Sequence, residues 1–218
     1  MICMGEAIGD SVRRGRTPSA DVERELLAAA EAVLVRAGPS GLTVRAVAAE
    51  AGIAPMGVYN HLGGKEGMVD ALLIKGFDRL RAAVEVGLDT TAEPDARARL
   101  CACGLRYREF ALANRHFYGL MFEEAILPTR GNPQVQEHAR GAFGVLVQAV
   151  ALSAAAGVLA APDPVEAAQQ MWAAQHGAVA LELKGLVLTA DPAATYRTLI
   201  ETLIRGLAPG EGGRSPAQ

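Results

Sequence analysis

Several things are scarce in this 218-residue chain, and each scarcity removes a class of protein. Cysteine occurs only at Cys3, Cys101 and Cys103, too few and too unevenly spaced for a disulfide framework or a zinc site. On a helix Cys101 and Cys103 would point about 200° apart, which suits neither chelation nor a local bridge. Buried free thiols are expected, with a redox sensor as the minor alternative. Aromatic residues make up 5% of the chain while Ala and Leu dominate, which favours helices over strands. No apolar run reaches spanning length, because the stretch from Phe143 to Ala161 is interrupted by Gln148, Ser153 and two glycines, so no membrane contact is expected. The first residues carry Glu6 and Asp10 ahead of the arginines and lack the apolar segment of a secretory signal, which points to the cytoplasm. His-x-x-x-His and Cys-x-x-Cys pairs, a glycine-rich phosphate loop and a nucleophile elbow are all missing. The chain is therefore expected to be no enzyme and to need neither metal nor other cofactor. Positive charge is lacking too: the net charge is −3 and the pI about 5.8, so any affinity for nucleic acid must come from local charge. In the first 65 residues basic and acidic side chains cancel, and only from residue 13 onward is the balance slightly basic.

What is present is a run from Leu42 to Leu62 that reads as two short helices joined by a tight turn. Thr43 offers an N-cap oxygen, and Val44, Val47, Ala48 and Ala51 repeat at helical spacing. Gly52 can then take the left-handed conformation that ends a helix. Ile53 is the buried hydrophobe of the turn, and Pro55 suits the first position of the second helix. Val58 and Leu62 face inward, while Pro55, Met56, Gly57, Tyr59 and Asn60 point out. The second helix of such a helix-turn-helix lies in the major groove with its N-terminal residues at base edges. Tyr59, His61 and Lys65 suit phosphate oxygens, whose contacts set register without reading sequence. Asn60 can pair with adenine and Met56 can pack on thymine methyls. Thr43 and Arg45, at the start of the first helix, complete the candidate DNA-binding set.

The run Gly-Ile-Ala-x-x-x-Val-Tyr-x-His-Leu-x-x-Lys-Glu, Gly52 to Glu66, resembles the signature of TetR-type transcriptional regulators, in which valine and serine usually follow the glycine, leucine precedes the tyrosine and phenylalanine follows the histidine. The resemblance implies phosphate-contacting and docking roles for Tyr59, His61 and Lys65. Against that pattern, Ala54 removes an N-cap worth about 1 kcal/mol. Gly57 costs a further ~1 kcal/mol inside a helix and would let the backbone approach DNA closely. Gly63-Gly64 would make the joint before Lys65 flexible.

Around this unit we expect an all-α chain of about nine helices. Residues 1–18 read as a flexible arm whose Arg13-Arg14-Gly15-Arg16 cluster either lies along DNA or is a solvated tail. Residues 19–65 form a three-helix DNA-binding domain, opened by a helix from Asp21 to about Ala37 that Gly38-Pro39-Ser40-Gly41 ends. Residues 66–208 form a helical domain for ligand binding and dimerisation, and 209–218 a disordered tail. The helix from Lys65 to about Gly87 begins at the DNA surface and ends far from it, so it can act as a mechanical connector. Thr90 to Asp95 is a turn, Asn114 breaks the next helix, and His116 to Phe122 gathers most of the aromatics in a stretch ending at Leu127-Pro128. A loop over Thr129 to Pro133 follows, and Glu123-Glu124 reads as an exposed pair. A helix from Val165 to about Leu188 is apolar on two faces, one with Val165, Ala168, Trp172, His176, Val179 and Leu183 and one with Met171, Ala174, Ala178, Leu181 and Gly185. The last helix carries Tyr196, Leu199, Ile200, Leu203, Ile204 and Leu207. Trp172-x-x-x-His176-Gly177 is similar to the Trp-His-Gly signature of one subfamily of TetR ligand domains.

The expected function is a ligand-responsive regulator, most often a repressor in this family, that binds a double-stranded DNA operator as a homodimer through the last two long helices. A small apolar or aromatic effector is expected among Tyr107, Phe110, Phe117, Met121, Phe122, Trp172 and His176, a mixture of aromatic walls and few polar atoms typical of ligand pockets. Two readings from other classes stand beside it. One is a small helical enzyme or carrier using His116 or His176 with a neighbouring carboxylate, and the other a dimeric adaptor that binds no DNA.

Overall fold

The computed structural model describes residues 19–88, 95–123 and 131–210, and within them the chain is all-α, with nine α-helices and no strand. The basic cluster at residues 13–16, the turn before Asp95, residues 124–130 with Glu124 and Leu127-Pro128, and all of the tail beyond Gly210 lie outside the described residues.

The first three helices are α1 (Ser19–Gly41), α2 (Val44–Glu50) and α3 (Pro55–Leu62). At Gly38 of α1, φ is 69° and ψ −179°, so the regular helix stops where the Gly-Pro-Ser-Gly segment begins. Thr43 Oγ1 accepts from Ala46 N at 3.1 Å to start α2. Gly52, at φ 67°, ends it, with Gly52 N donating to Ala49 O and Ile53 N to Ala48 O at 3.0 Å, the paired bonds of a Schellman stop.

Helix α4 (Gly64–Glu85) is the spine. Its 22 residues span about 33 Å and bury Met68, Val69, Leu72, Leu73, Gly76, Phe77, Leu80 and Val84. It packs on α1 and α3 on one side and on α5 (Ala96–Ala113) and α7 (Pro133–Ala155) on the other. One apolar core therefore runs without a gap from Leu26 to Ile204. Glu31 of α1 pairs with Lys75 and Arg79 of α4. Burial opposes the charge on Glu31, but hydrogen bonds from Arg79 and Lys75 outweigh it and hold the carboxyl below its usual range.

After α5, Asn114 interrupts the helix at φ −124° and ψ 44°. A single turn, α6 (Arg115–Tyr118), runs into a π-helical segment at Gly119–Glu123. Helices α7, α8 (Pro164–Leu183) and α9 (Pro192–Gly206) each start with Asn or Asp at the N-cap and Pro at the first turn, so the cap oxygen satisfies backbone donors that proline does not add to.

Helix α8 differs from expectation in two ways. It ends at Leu183, because Gly185 adopts φ 69° and Leu186 N bonds Leu181 O at 2.9 Å; Gly185 is the stop signal and no part of an apolar face. The faces divide differently as well. Ala168, Met171, Gln175 and Val179 are buried, Trp172 and His176 flank them, and Val165 and Leu181 are exposed.

Candidate nucleic-acid interface and ligand cavity

Helix α3 is held from below by Val58, with no exposed surface, and Leu62. Its other side presents Met56 and Tyr59, at 64% and 56% exposure, beside exposed Pro55 and Asn60 and half-buried His61. Thr43, Arg45 and Lys65 are exposed around this surface. Arg36 pairs with Glu50 at 2.7 Å, whereas Arg45 and Lys65 form no ion pair within the described residues and the exposed acid beside them is Glu66. Around α3 the cations Arg36, Arg45 and Lys65 thus outnumber Glu50 and Glu66 by one, although the chain is acidic.

Glycines set this geometry. Gly57 does not point outward: a Cβ there would fall 2.4 Å from Ile53 Cδ1, so its role is to admit the turn hydrophobe, not to bring backbone to DNA. Gly63 and Gly64 form no loose joint. Both are left-handed, at φ 71° and 78°, Gly63 N caps α3 on Tyr59 O at 3.1 Å, and a Cβ on Gly64 would lie 2.9 Å from the Tyr59 ring. Tyr59 is therefore held in place by the next helix. Gly67 is tighter still, since its Cβ would come 2.0 Å from the Leu62 carbonyl oxygen. Sequence reasoning missed Gly67, although the spacing Gly63-Gly64-x-x-Gly67 was its signal.

The second candidate site is a cavity of about 310 Å³ enclosed by α4, α5, the π segment, α7 and α8. Phe77, Leu80 and Val84 supply one wall, Phe122, Phe143 and Trp172 the aromatic part, and Cys103, Gly104, Tyr107 and Gln175 the deep side. Of the expected pocket residues, Tyr107, Phe122 and Trp172 are here. Phe110, Phe117, Met121 and His176 do not line it. Phe117 and Met121 instead face α4 at Gly76, where a Cβ would meet Met121 Sδ at 2.9 Å and Phe117 Cδ1 at 3.1 Å, and the Arg79 guanidinium lies 5.1 Å from the Phe117 ring. Phe110 is buried in the core. Phe122, on the same turn as Met121, meets Phe77 edge-on at 5.9 Å and Trp172 at 6.1 Å. Sequence reasoning missed Phe77, Leu80, Val84, Phe143 and Gln175 as cavity walls, because helical periodicity marks a residue as inward without saying what the interior leaves empty.

His176 stacks on Tyr118 at 5.4 Å, and its Nδ1 lies 2.7 Å from Tyr118 Oη and 3.0 Å from Tyr107 Oη. Burial pushes the Tyr107 hydroxyl up, with Tyr118 and Trp172 beside it pulling the other way, so at neutral pH Tyr107 is a phenol within hydrogen-bond reach of the imidazole. Burial also pushes the Cys103 thiol up to about 12, and it donates to Val84 O at 3.3 Å; a protonated thiol in that position is a poor redox sensor. His116 sits against the α1 kink, where a Cβ on Gly38 would be 3.5 Å from its Nδ1.

Comparison with known proteins agrees with this division. Residues 26–72 match the family described as bacterial regulatory proteins of the tetR family, and residues 100–203 match the tetracyclin repressor-like C-terminal domain. A solved structure of a protein with unknown function from Rhodococcus sp. RHA1 is 32% identical, with a TM-score of 0.77 over 92% of this chain and all of that one. The chain belongs to the TetR family of transcriptional regulators. Two other TetR-family structures share the fold. One, a regulatory protein from Rhodococcus RHA1, is 20% identical with a TM-score of 0.65 over 87% of this chain and 98% of that one. The other, from Shewanella sp. PV-4, is 17% identical with a TM-score of 0.66 over 87% and 99%. No curated protein matches the chain.

Membership makes this TetR-family chain a DNA-binding regulator and points away from an enzyme. The family binds DNA operators as dimers. On the outer flank of α8, Ala173, Gly177 and Leu181 are exposed, and a Cβ on Gly177 would meet nothing within 4 Å. Helix α9 buries Tyr196, Ile200 and Ile204 and leaves Leu199, Leu203 and Leu207 half-exposed beside them. Arg108 and Glu182 brace this side with a two-pronged pair at 2.7 Å through Arg108 Nε. Among the described residues no helix is long and apolar enough to cross a membrane.

Proposed function

We propose that this regulator is a repressor of the Trp-His-Gly subtype that a small apolar or aromatic effector releases from a palindromic operator. The chain divides at α4: residues 19–65 bind DNA, and 66–208 bind effector and partner. Helix α3 enters the major groove with Met56 and Asn60 at base edges and Pro55 and Gly57 alongside. Thr43, Arg45, Tyr59, His61 and Lys65 meet phosphates. Two copies pair through α8 and α9 in a four-helix bundle whose small-residue flank permits close approach. The pairing must set the two recognition helices about 34–36 Å apart, one turn of DNA.

One observation carries the switch. Helix α4 supplies Phe77, Leu80 and Val84 to the cavity, and near its other end Gly67 abuts the Leu62 carbonyl of the recognition helix. An effector that displaces α4 therefore displaces α3, because the contact at Gly67 has no slack. Phe122 offers a second lever, since it meets the cavity from the turn whose Met121 seats on Gly76. To release DNA, the effector must bind the off-operator conformation more tightly, by about 1–3 kcal/mol in a typical coupling.

The test begins with DNA selected by the protein from a randomised pool, followed by anisotropy titrations at several salt concentrations. Affinity that falls steeply with salt and is released by compounds found in a thermal-shift screen supports the reading. Absence of DNA binding under all salt conditions would leave the dimeric adaptor.

A further inference from the structure

The cavity walls are largely apolar, and among the polar side chains that line it, Tyr107, Arg140, Gln169 and Gln175, two stand out. Gln175 is 3% exposed and lies on the deep side. Its neighbour Tyr196 has its hydroxyl 3.1 Å from both Gln175 Oε1 and the Gly104 carbonyl, yet a phenol has one proton to give. If the proton goes to Gly104, the carboxamide turns so that its N–H donates to Tyr196 and its oxygen faces the cavity; if it goes to Gln175, the NH2 faces the cavity. Either way Tyr196 occupies one end of the amide, and the other end, on a residue that lines the cavity, is left to meet a ligand group. The absence of a side chain at Gly104 makes this possible, since a Cβ there would lie 2.7 Å from Gln175 Oε1.

Arg140 is the second of them. It is exposed, lies with Gln169 where the cavity opens, is the one charged residue among its lining, and makes no ion pair within the described residues. A cation at the mouth of an apolar slot attracts an anionic head whose body is apolar.

Resting on the effector reading of this cavity, we propose that the effector is a small apolar carboxylic acid carrying a hydroxyl at its far end, its carboxylate on Arg140 and its hydroxyl on Gln175. A hydroxyl both donates and accepts, so it satisfies either orientation of the amide. At ~30 Å³ per water-sized unit the volume holds about ten such units, which sets the molecule at roughly 10–15 non-hydrogen atoms.

Trp172 is the chain's sole tryptophan and lines the cavity, so its fluorescence reads occupancy directly. The probes are 4-(4-hydroxyphenyl)butyrate, its neutral isostere 4-(4-hydroxyphenyl)butyramide, and 4-phenylbutyrate, titrated into the full chain at pH 7.5. The hydroxy acid is expected to bind about tenfold more tightly than either the amide or the acid lacking the hydroxyl. Arg140→Gln, at an exposed position that leaves folding intact, should erase the preference for acid over amide and leave the amide's affinity unchanged. Gln175→Met, close in volume, should erase the gain from the hydroxyl and leave the acid preference. Equal binding of acid and amide, or an acid preference that survives Arg140→Gln, would overturn the assignment of the head group; a hydroxyl gain that survives Gln175→Met would overturn the far end. If these acids displace operator DNA while Trp172 does not respond, the cavity reading itself falls and the ligand class with it.

Discussion

The proposed DNA-contacting face and the proposed effector cavity are built on opposite economies of chain. The face takes its groups from residues 43–65, consecutive in sequence, and its geometry is set by local backbone: a capping threonine, a left-handed glycine stop and two glycines that clamp Tyr59. The cavity takes its walls from α4, α5, the π segment, α7 and α8, spread from Phe77 to Gln175. Local determination makes the face recognisable and unforgiving of backbone change. Dispersed determination lets the cavity tolerate exchange of one wall residue at a time without loss of the scaffold.

Substitutions on α4 break this comparison most sharply, because the helix serves both regions. Gly67→Ala should cost about 3 kcal/mol or more, since a backbone oxygen 2.0 Å from the new methyl cannot move aside cheaply. Calorimetry should show Tm falling by about 10 °C, with DNA binding lost even where the protein stays folded. A melting temperature within about 2 °C of wild type would mean that the joint between α3 and α4 is looser than the geometry requires.

Trp172→Ala comes next, at about 2–3 kcal/mol of stability for a partly exposed aromatic. Its functional signature is opposite to that of Gly67→Ala: operator affinity within about twofold of wild type, effector response gone. Thermal-shift hits that act equally on both proteins would move the effector site elsewhere. Gly76→Ala should be milder, about 1 kcal/mol, because the atoms that must yield are the flexible end of Met121 and the Phe117 ring and because alanine favours the helix. It tests the second lever: the concentration of effector needed for release should change while intrinsic DNA affinity does not.

On the DNA side, Tyr59→Phe and Lys65→Ala should weaken selected and random DNA alike, and Lys65→Ala should lower the salt slope by about one. Loss confined to the selected site would assign these residues to base readout. The smallest expected effect belongs to Glu31, whose carboxyl is held below its usual range by Arg79 and Lys75. Such a group stabilises above its unfolded pKa, and the contribution disappears as pH falls through the folded value. Glu31→Gln should therefore lower stability near neutral pH by under about 1 kcal/mol, as expected for a pair that water still reaches, and the difference should shrink as acid protonates the folded carboxyl. A difference between the two proteins that does not depend on pH would attribute the loss to packing.

Helix order, the Thr43 cap and the outward residues of α3 other than Gly57 were legible from sequence, because they depend on interactions between residues one to four positions apart. Thr43 marked the start of α2 and Gly52 its end. The end of α8 was misread because Gly185 looks like one more small residue on an Ala-rich face until its φ is known. The cavity was only half legible: aromatic content pointed to Tyr107, Phe122 and Trp172, but Phe117 and Met121 turned to Gly76 and His176 to Tyr118.

By itself, then, the sequence determined the family and the all-α architecture and singled out the face proposed to meet DNA, since each follows from short-range periodicity, capping and a compact motif. Only the tertiary structure decided which of the inward-facing aromatics surround empty space, that Gln175 and Arg140 are among the polar groups of that space, and that Gly67 and Gly76 are among the places where α4 touches its neighbours without slack. Those are properties of how helices distant in sequence pack. A one-dimensional pattern records that a side chain is buried, and it does not record against what.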